Sequence, residues 1–221
     1  MINILEVDGV ILEFRSKRIL QNVYLKNETG IVTGLLGRNG TGKSCLMKII
    51  FGELNPTNSS IRINGNSLLG TNRSPKDLRY LPQSRYIPSH LSINRVFRDF
   101  DLDFADFILT FPEFEKYYKS KLRQLSGGER RIIEIYTILV SSTKFCILDE
   151  PFSQVMPIHV DTIKKLILRE KKNKGIIITD HLYKHITDTS DTIYVISDGK
   201  THLINNINEI ETLGYVRFNS N

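Results

Sequence analysis

Eight consecutive residues, Gly37-Arg38-Asn39-Gly40-Thr41-Gly42-Lys43-Ser44, fit the pattern G-x-x-x-x-G-K-[ST]. Their chemistry is that of phosphate binding. Glycines let successive backbone N–H groups turn inward onto an anion, and a following helix N-terminus adds favourable dipole charge. Lys43 is expected to reach the β- and γ-phosphates of a nucleotide, and Ser44 to offer its hydroxyl to Mg²⁺. A second group lies at Phe145-Cys146-Ile147-Leu148-Asp149-Glu150, where a mostly apolar run ends in two carboxylates. A buried strand of this kind delivers acids into a site at its carboxyl end. Asp149 suits the metal shell, and Glu150 suits a base that takes a proton from an attacking water. Asp-Glu pairs are common, so these two gain weight only from the phosphate loop beside them.

Leu125-Ser126-Gly127-Gly128-Glu129 has the S-x-x-E spacing of a capping box at a helix start. Two readings fit it. It is a well-capped helix, or its paired glycines expose backbone donors as a second anion-binding end.

The elements that must position these groups can be read from hydrophobic spacing. Ile31 to Leu36 is an apolar run leading into the phosphate loop, and Lys43 to Phe51 has helical spacing at Leu46, Ile49 and Ile50, giving strand, loop, helix. Upstream, Ile2 to Val7 and Val10 to Phe14 are predicted as two short strands joined by an Asp8-Gly9 turn. Ile19 to Leu25 is a third strand, and Ile61 to Ile63 with Asn64-Gly65-Asn66 returns to strand and turn. Ser84 to Gln124 reads as a small helical insertion rich in phenylalanine. Helices at Glu129 to Val140 and Val160 to Glu170 then alternate with strands at Phe145 to Leu148 and Ile176 to Thr179. That alternation predicts an α/β fold with parallel strands. Thr192 to Ile204 closes as a hairpin through Asp198-Gly199.

The 221 residues are 40% hydrophobic and 24% charged, an ordinary globular composition. No apolar run approaches the roughly 18 residues that cross a bilayer, and no signal-peptide pattern opens the chain, so a cytoplasmic location is expected. Cys45 and Cys146 are expected to be small buried fillers rather than a disulfide pair. The net charge of +6 is spread along the chain and fits a solvated surface as well as an acidic partner. No direct contact with nucleic acid is expected.

Together these motifs resemble the ABC-type ATPases, the nucleotide-binding domains of ABC transporters, over nearly the whole chain. LSGGE at Leu125 is that family's signature. Tyr80-Leu81-Pro82-Gln83, LSGGERR, LDEPF from Leu148 and ITDH from Ile178 are similar to the ATPases of lipopolysaccharide-export and branched-chain amino-acid transporters. The resemblance implies a single domain over 1–221 with a P-loop NTPase fold: a RecA-like, mostly parallel core, an N-terminal antiparallel β subdomain and a helical subdomain at about 84–124. It also implies binding and hydrolysis of MgATP in a head-to-tail homodimer, each ATP closed over by Ser126, Gly127 and Gly128 of the other copy. The phosphate loop, including Cys45, then holds ATP with Phe14 stacked on adenine. A strand residue facing the core is an equal alternative for Phe14. Gln83 resembles the glutamine that touches Mg²⁺ and the attacking water, and His181 the histidine that contacts the γ-phosphate. The implied partner is a transmembrane permease subunit, with the chain peripheral on the inner face of the cell membrane.

Three departures from the family pattern stand out. Met156 precedes Pro157 where the family has an aspartate that communicates across the dimer. Cys45 replaces a hydroxyl after Ser44, and the helical insertion is short. Tyr86, Phe97 and Phe100 are candidates for a groove on that insertion, with core packing the expected role for most of them. Two other functions share the motifs: a soluble ABC ATPase in cofactor assembly or nucleic-acid or ribosome work, and a regulatory ATP-binding protein of low activity.

Overall fold

The computed structural model describes residues 2–15, 17–68, 70, 73–206 and 208–212. Strands β1 (Ile4–Phe14) and β2 (Lys17–Glu28) pair antiparallel. Asp8-Gly9 is not the expected turn. Val7 faces Leu25 and Val10 faces Val23, so the dipeptide forms a bulge in one continuous strand, with Gly9 at φ +61°. An extra residue on one side of a ladder needs a left-handed position, which glycine takes without steric penalty. β1 also pairs with a later strand, and that ladder is interrupted at the same place, between Asp8 and Ile11.

The phosphate loop begins after β3 (Val32–Leu36) and ends at α1 (Lys43–Phe51). β4 (Asn58–Ile63) and β5 (Asn66–Ser67), joined through Asn64 and Gly65 at φ +52° and +78°, complete a four-stranded sheet in the order β2-β1-β4-β5. The positive angles at both central residues are those of a tight hairpin turn. β6 (Leu78–Leu81) then enters the main sheet. Its four residues carry Arg79 in their middle, which hid it among loop-like neighbours.

The segment that follows holds α2 (Ile93–Asp99), α3 (Phe104–Thr110) and two 3-10 turns at Pro112–Tyr117 and Leu122–Gln124. Phe97, Phe107, Phe111 and Phe114 are all buried there. The rings of Phe97 and Phe107 lie 5.9 and 4.8 Å from that of Tyr136 on α4 (Gly127–Val140), which fastens the segment to the main body.

β7 (Phe145–Asp149), α5 (Pro157–Glu170), β8 (Gly175–Thr179), α6 (Tyr183–Thr189), β9 (Thr192–Ser197), β10 (Lys200–Ile204) and the short α7 (Glu209–Thr212) complete the chain. The second sheet runs β10-β9-β3-β8-β7-β6, parallel except for the β9–β10 hairpin. Alternation along β7 divides the core. Phe145 and Ile147 pack with Leu46, Ile50 and the antiparallel sheet, while Cys146 and Leu148 pack with Ile133, Tyr136 and Ile163 on the other face. Helices on one face and α1 with the smaller sheet on the other explain why β3, β7 and β8 are buried along their whole length.

Candidate functional site

The carboxyl ends of β3, β6, β7 and β8 lie side by side, the place where open α/β sheets bind ligands. A cleft of about 500 Å³ opens there, lined by Phe14, Asn39, Gly40, Gly42, Lys43, Ser44, Cys45, Gln83, Glu150 and His181 among others.

Gly42 occupies the N-cap of α1 at φ +99°, and a Cβ on it would come 2.8 Å from Leu20 Cδ2. Only glycine fits there. No side chain caps α1, and no acid sits in its first turn. The N–H donors at that end are therefore left for an anion. Lys43 is buried, and its Nζ donates to the carbonyls of Gly37 at 2.6 Å and Arg38 at 3.1 Å. Burial lowers its pKa, while Glu150, Asp149 and Asp180 pull the other way. Thr41 closes the loop by donating its hydroxyl to Arg38 O.

Phe14 ends β1 with 49% of its surface exposed and lines the cleft, so it is not a core residue. Cys45 also lines the cleft and is only partly buried, which corrects the expectation of a buried filler. It sits between the cleft and the core, packed against the cluster that holds Leu20 and Leu46. Cys146 is fully buried, and burial pushes its thiol up to about 12.

Asp149 is 1% exposed. Its Oδ2 accepts from the Tyr80 hydroxyl at 3.1 Å, while Oδ1 is buried with no hydrogen-bond partner. Burial raises its pKa, and the hydroxyls of Ser44 and Tyr80 oppose that rise. A bare oxygen beside a serine hydroxyl fits a hard cation that takes its remaining ligands from water and phosphate, as Mg²⁺ does. Asp149→Asn is accordingly expected to raise the melting temperature of the metal- and nucleotide-free protein by about 2–4 °C per kcal/mol of relieved charge burial. The raised carboxyl pKa makes this gain largest at neutral pH and shrinks it as pH falls through the folded-state value. Scanning calorimetry at pH 7.5 and pH 5 checks it, and a lower midpoint at pH 7.5 rejects it.

Glu150 follows at φ +50°, its N–H bonded to Thr179 O at 2.9 Å. A non-glycine residue held left-handed is a strained feature often found at functional positions. Its Oε2 accepts from Gln83 Nε2 at 2.7 Å and from Ser153 Oγ at 3.2 Å, with His181 Nδ1 4.0 Å away.

Three positioning residues lie inside the motifs quoted above, but the motifs assign none of them a role. Arg131 on α4 donates to Pro82 O at 2.8 Å, Asp149 O at 2.9 Å and Glu150 O at 3.2 Å. Asp180, fully buried and raised in pKa by that burial, accepts from the N–H groups of Phe152 and Leu182. Tyr80 holds Asp149 as described. Each has at least one partner distant in sequence, so spacing alone does not expose what it does.

Ser126, Gly127 and Gly128 do not line this cleft. Ser126 caps α4, accepting from Glu129 N at 3.3 Å while Glu129 Oε2 accepts from Ser126 N at 2.8 Å. A Cβ on Gly128 would meet Gln154 O at 2.8 Å. Tyr86 and Phe100 line a second groove, of about 210 Å³, but Phe97 is 2% exposed and belongs to the core. Its ring is taken up by Tyr136.

The ABC transporter family matches residues 20–153. The chain is 32% identical to the lipopolysaccharide export system ATP-binding protein LptB of Haemophilus influenzae, over 90% of this chain and 88% of that protein. It is 35% identical to LptB of Escherichia coli, over 86% and 85%. A solved ATP-binding subunit of an ABC transporter superposes with a TM-score of 0.81 at 21% identity, over 96% of this chain and 94% of that one. A bacterial Atm1-family ABC exporter with ATP bound superposes at 0.82 and 19%, over 96% and 40%. A phosphate loop at β3, paired acids at β7 and similarity along nearly the full length agree: the chain belongs to the ABC transporter family, as an ATP-binding subunit that hydrolyses ATP.

Proposed function

We propose that two copies of this chain pair head to tail and close over two molecules of MgATP, driving a separate membrane permease. One observation carries this reading: the Ser126-Gly127-Gly128 helix start lies outside the chain's own cleft, and its capping box takes up the N–H groups of Ser126 and Glu129 but not those of Gly127 and Gly128. Two identical chains are the simplest way to supply each cleft with such a second wall.

In each cleft the loop from Gly37 to Ser44, with Cys45, holds the phosphates, and the exposed face of Phe14 takes the adenine. Lys43 exchanges its bonds to Gly37 O and Arg38 O for the β- and γ-phosphates. Ser44, Asp149 and Gln83 hold Mg²⁺, which neutralises phosphate charge when bound. Glu150, oriented by Gln83 and Ser153, takes the proton of the attacking water, and His181 contacts the γ-phosphate. Water exclusion comes from the other copy's glycines.

The proposed unit is one domain over 1–221, in which residues from about 84 to 124 and the groove at Tyr86 and Phe100 receive the permease. No helix among the described residues is long and apolar enough to cross a membrane. In this reading the chain is peripheral on the inner face of the cell membrane, held there by the permease.

A mixing experiment tests the shared site. Lys43→Ala lacks a working loop, and Ser126→Arg blocks the opposing wall. Each alone is expected to retain almost no ATP after gel filtration. In a mixed pair one cleft joins an intact loop to an intact wall, so retention is expected to return for about one cleft per mixed dimer. Retention no greater than the sum of the separate variants rejects the shared site.

A further inference from the structure

Thr179 ends β8 beside both acids of the site. Its carbonyl accepts from Glu150 N at 2.9 Å, and the residue pairs in register with Asp149 on the neighbouring strand. Because side chains alternate along a strand, the face on which these two lie follows from the residues before them. Ile147 and Ile177, two positions earlier on each strand, both pack with Leu46 and Ile50, so Asp149 and Thr179 lie on the face toward α1. β8 runs between β3 and β7, which puts Thr179 between the root of the phosphate loop and Asp149.

Each of the two residues carries a buried oxygen with nothing to bond. Thr179 is fully buried and its Oγ1 has no hydrogen-bond partner, and the same holds for Asp149 Oδ1. A buried hydroxyl left unmet costs free energy, as does a buried carboxylate oxygen, and here the two costs fall on neighbours. Valine would fill the volume of Thr179 with no polar atom to satisfy, so packing does not account for the hydroxyl. The two oxygens do not bond each other directly. A water molecule between them meets both needs, accepting from the threonine and donating to the carboxylate. Internal waters typically make about three such bonds to groups that are otherwise unmet. Neither residue lines the cleft, so a water there lies behind the cleft wall and is part of the protein rather than of the solvent in the cleft.

We infer that Thr179 is a positioning residue of the metal site: its hydroxyl holds one internal water against Asp149 Oδ1, and that water fixes the carboxylate in the orientation the cation requires. With Tyr80 bonded to Oδ2 at 3.1 Å and the water on Oδ1, the carboxylate is held from both sides and its plane cannot turn. An ionised carboxylate oxygen has two lone pairs, so Oδ1 takes this water and keeps one for the shell of the cation. The inference rests on the proposed place of Asp149 at Mg²⁺ and adds the group that orients it. Thr179 then serves both acids, Glu150 through its carbonyl and Asp149 through its side chain.

The test uses the full chain and reads binding rather than turnover. Affinity for a nonhydrolysable ATP analogue is measured once with Mg²⁺ and once with EDTA, and the ratio of the two isolates the share owed to the metal. Thr179→Val is expected to cut that ratio by about tenfold or more, the loss typical of removing a group that orients a metal ligand, while its affinity in EDTA stays within about threefold of wild type. Thr179→Ser keeps the hydroxyl and is expected to keep the ratio. A crystal structure of the nucleotide-free protein is expected to show one ordered water within hydrogen-bond distance of both oxygens. A ratio for Thr179→Val within about threefold of wild type, including equal losses with Mg²⁺ and with EDTA, overturns the role of Thr179 and leaves Asp149 at the metal. So does a serine variant as poor as the valine one, or the lack of a water between the two oxygens. A wild-type affinity that is the same with Mg²⁺ and with EDTA overturns the metal site itself.

Discussion

Glu150→Gln is expected to lower ATP turnover by about 10²- to 10⁴-fold, the range for removing a positioned general base, while ATP binding persists. Glutamine has the same shape, so the bonds from Gln83 and Ser153 can still be made to its carbonyl oxygen. What it lacks is an oxygen able to take a proton from water. Closed, ATP-loaded pairs should then accumulate because nothing resets them. Phosphate release measured beside nucleotide retention checks both halves. Turnover within threefold of wild type removes Glu150 as the base. His181 lies 4.0 Å from its Oε2 and is the next group to examine.

Lys43→Ala acts one step earlier and is expected to weaken nucleotide binding itself. A hydrogen bond to a charged group contributes about 1.5–3 kcal/mol, and Lys43 is placed to make two to the phosphates. One such bond corresponds to roughly 10- to 100-fold in affinity, so the loss should reach at least that. Titration with a fluorescent ATP analogue reads it directly. A dissociation constant unchanged within error would show that the lysine remains on Gly37 O and Arg38 O when nucleotide is bound. The two variants fail differently: one binds without turning over, the other fails to bind.

The parts of this site legible in sequence are those whose chemistry is local. The phosphate loop needs glycines at fixed offsets because its own backbone must bend, and Gly42 has no other side chain available to it. Asp149 and Glu150 announce themselves by ending an apolar strand. The alternation from Glu129 onward is enough to give the parallel sheet, since continuous apolar runs at Phe145 and Ile176 there alternate with helices of 14 residues. β6 and α6 escaped because they are short and mixed in polarity. Asp8-Gly9 forms a bulge where the sequence predicts a turn, because the same dipeptide serves either and the pairing of β1 on both sides of it is not local. Arg131 belongs to the same class. Its three acceptors are backbone carbonyls, which have no residue type to read.

That arginine links parts of the molecule that are otherwise separate. α4 begins at the glycines proposed to press on the other copy's nucleotide, and one turn later Arg131 grips the chain at Pro82, Asp149 and Glu150. In the proposed pair, Arg131 would tie the helix start that faces the other copy's nucleotide to this copy's own Glu150. A side-chain tether of that kind would join the two chambers without using position 156, where methionine carries no charge.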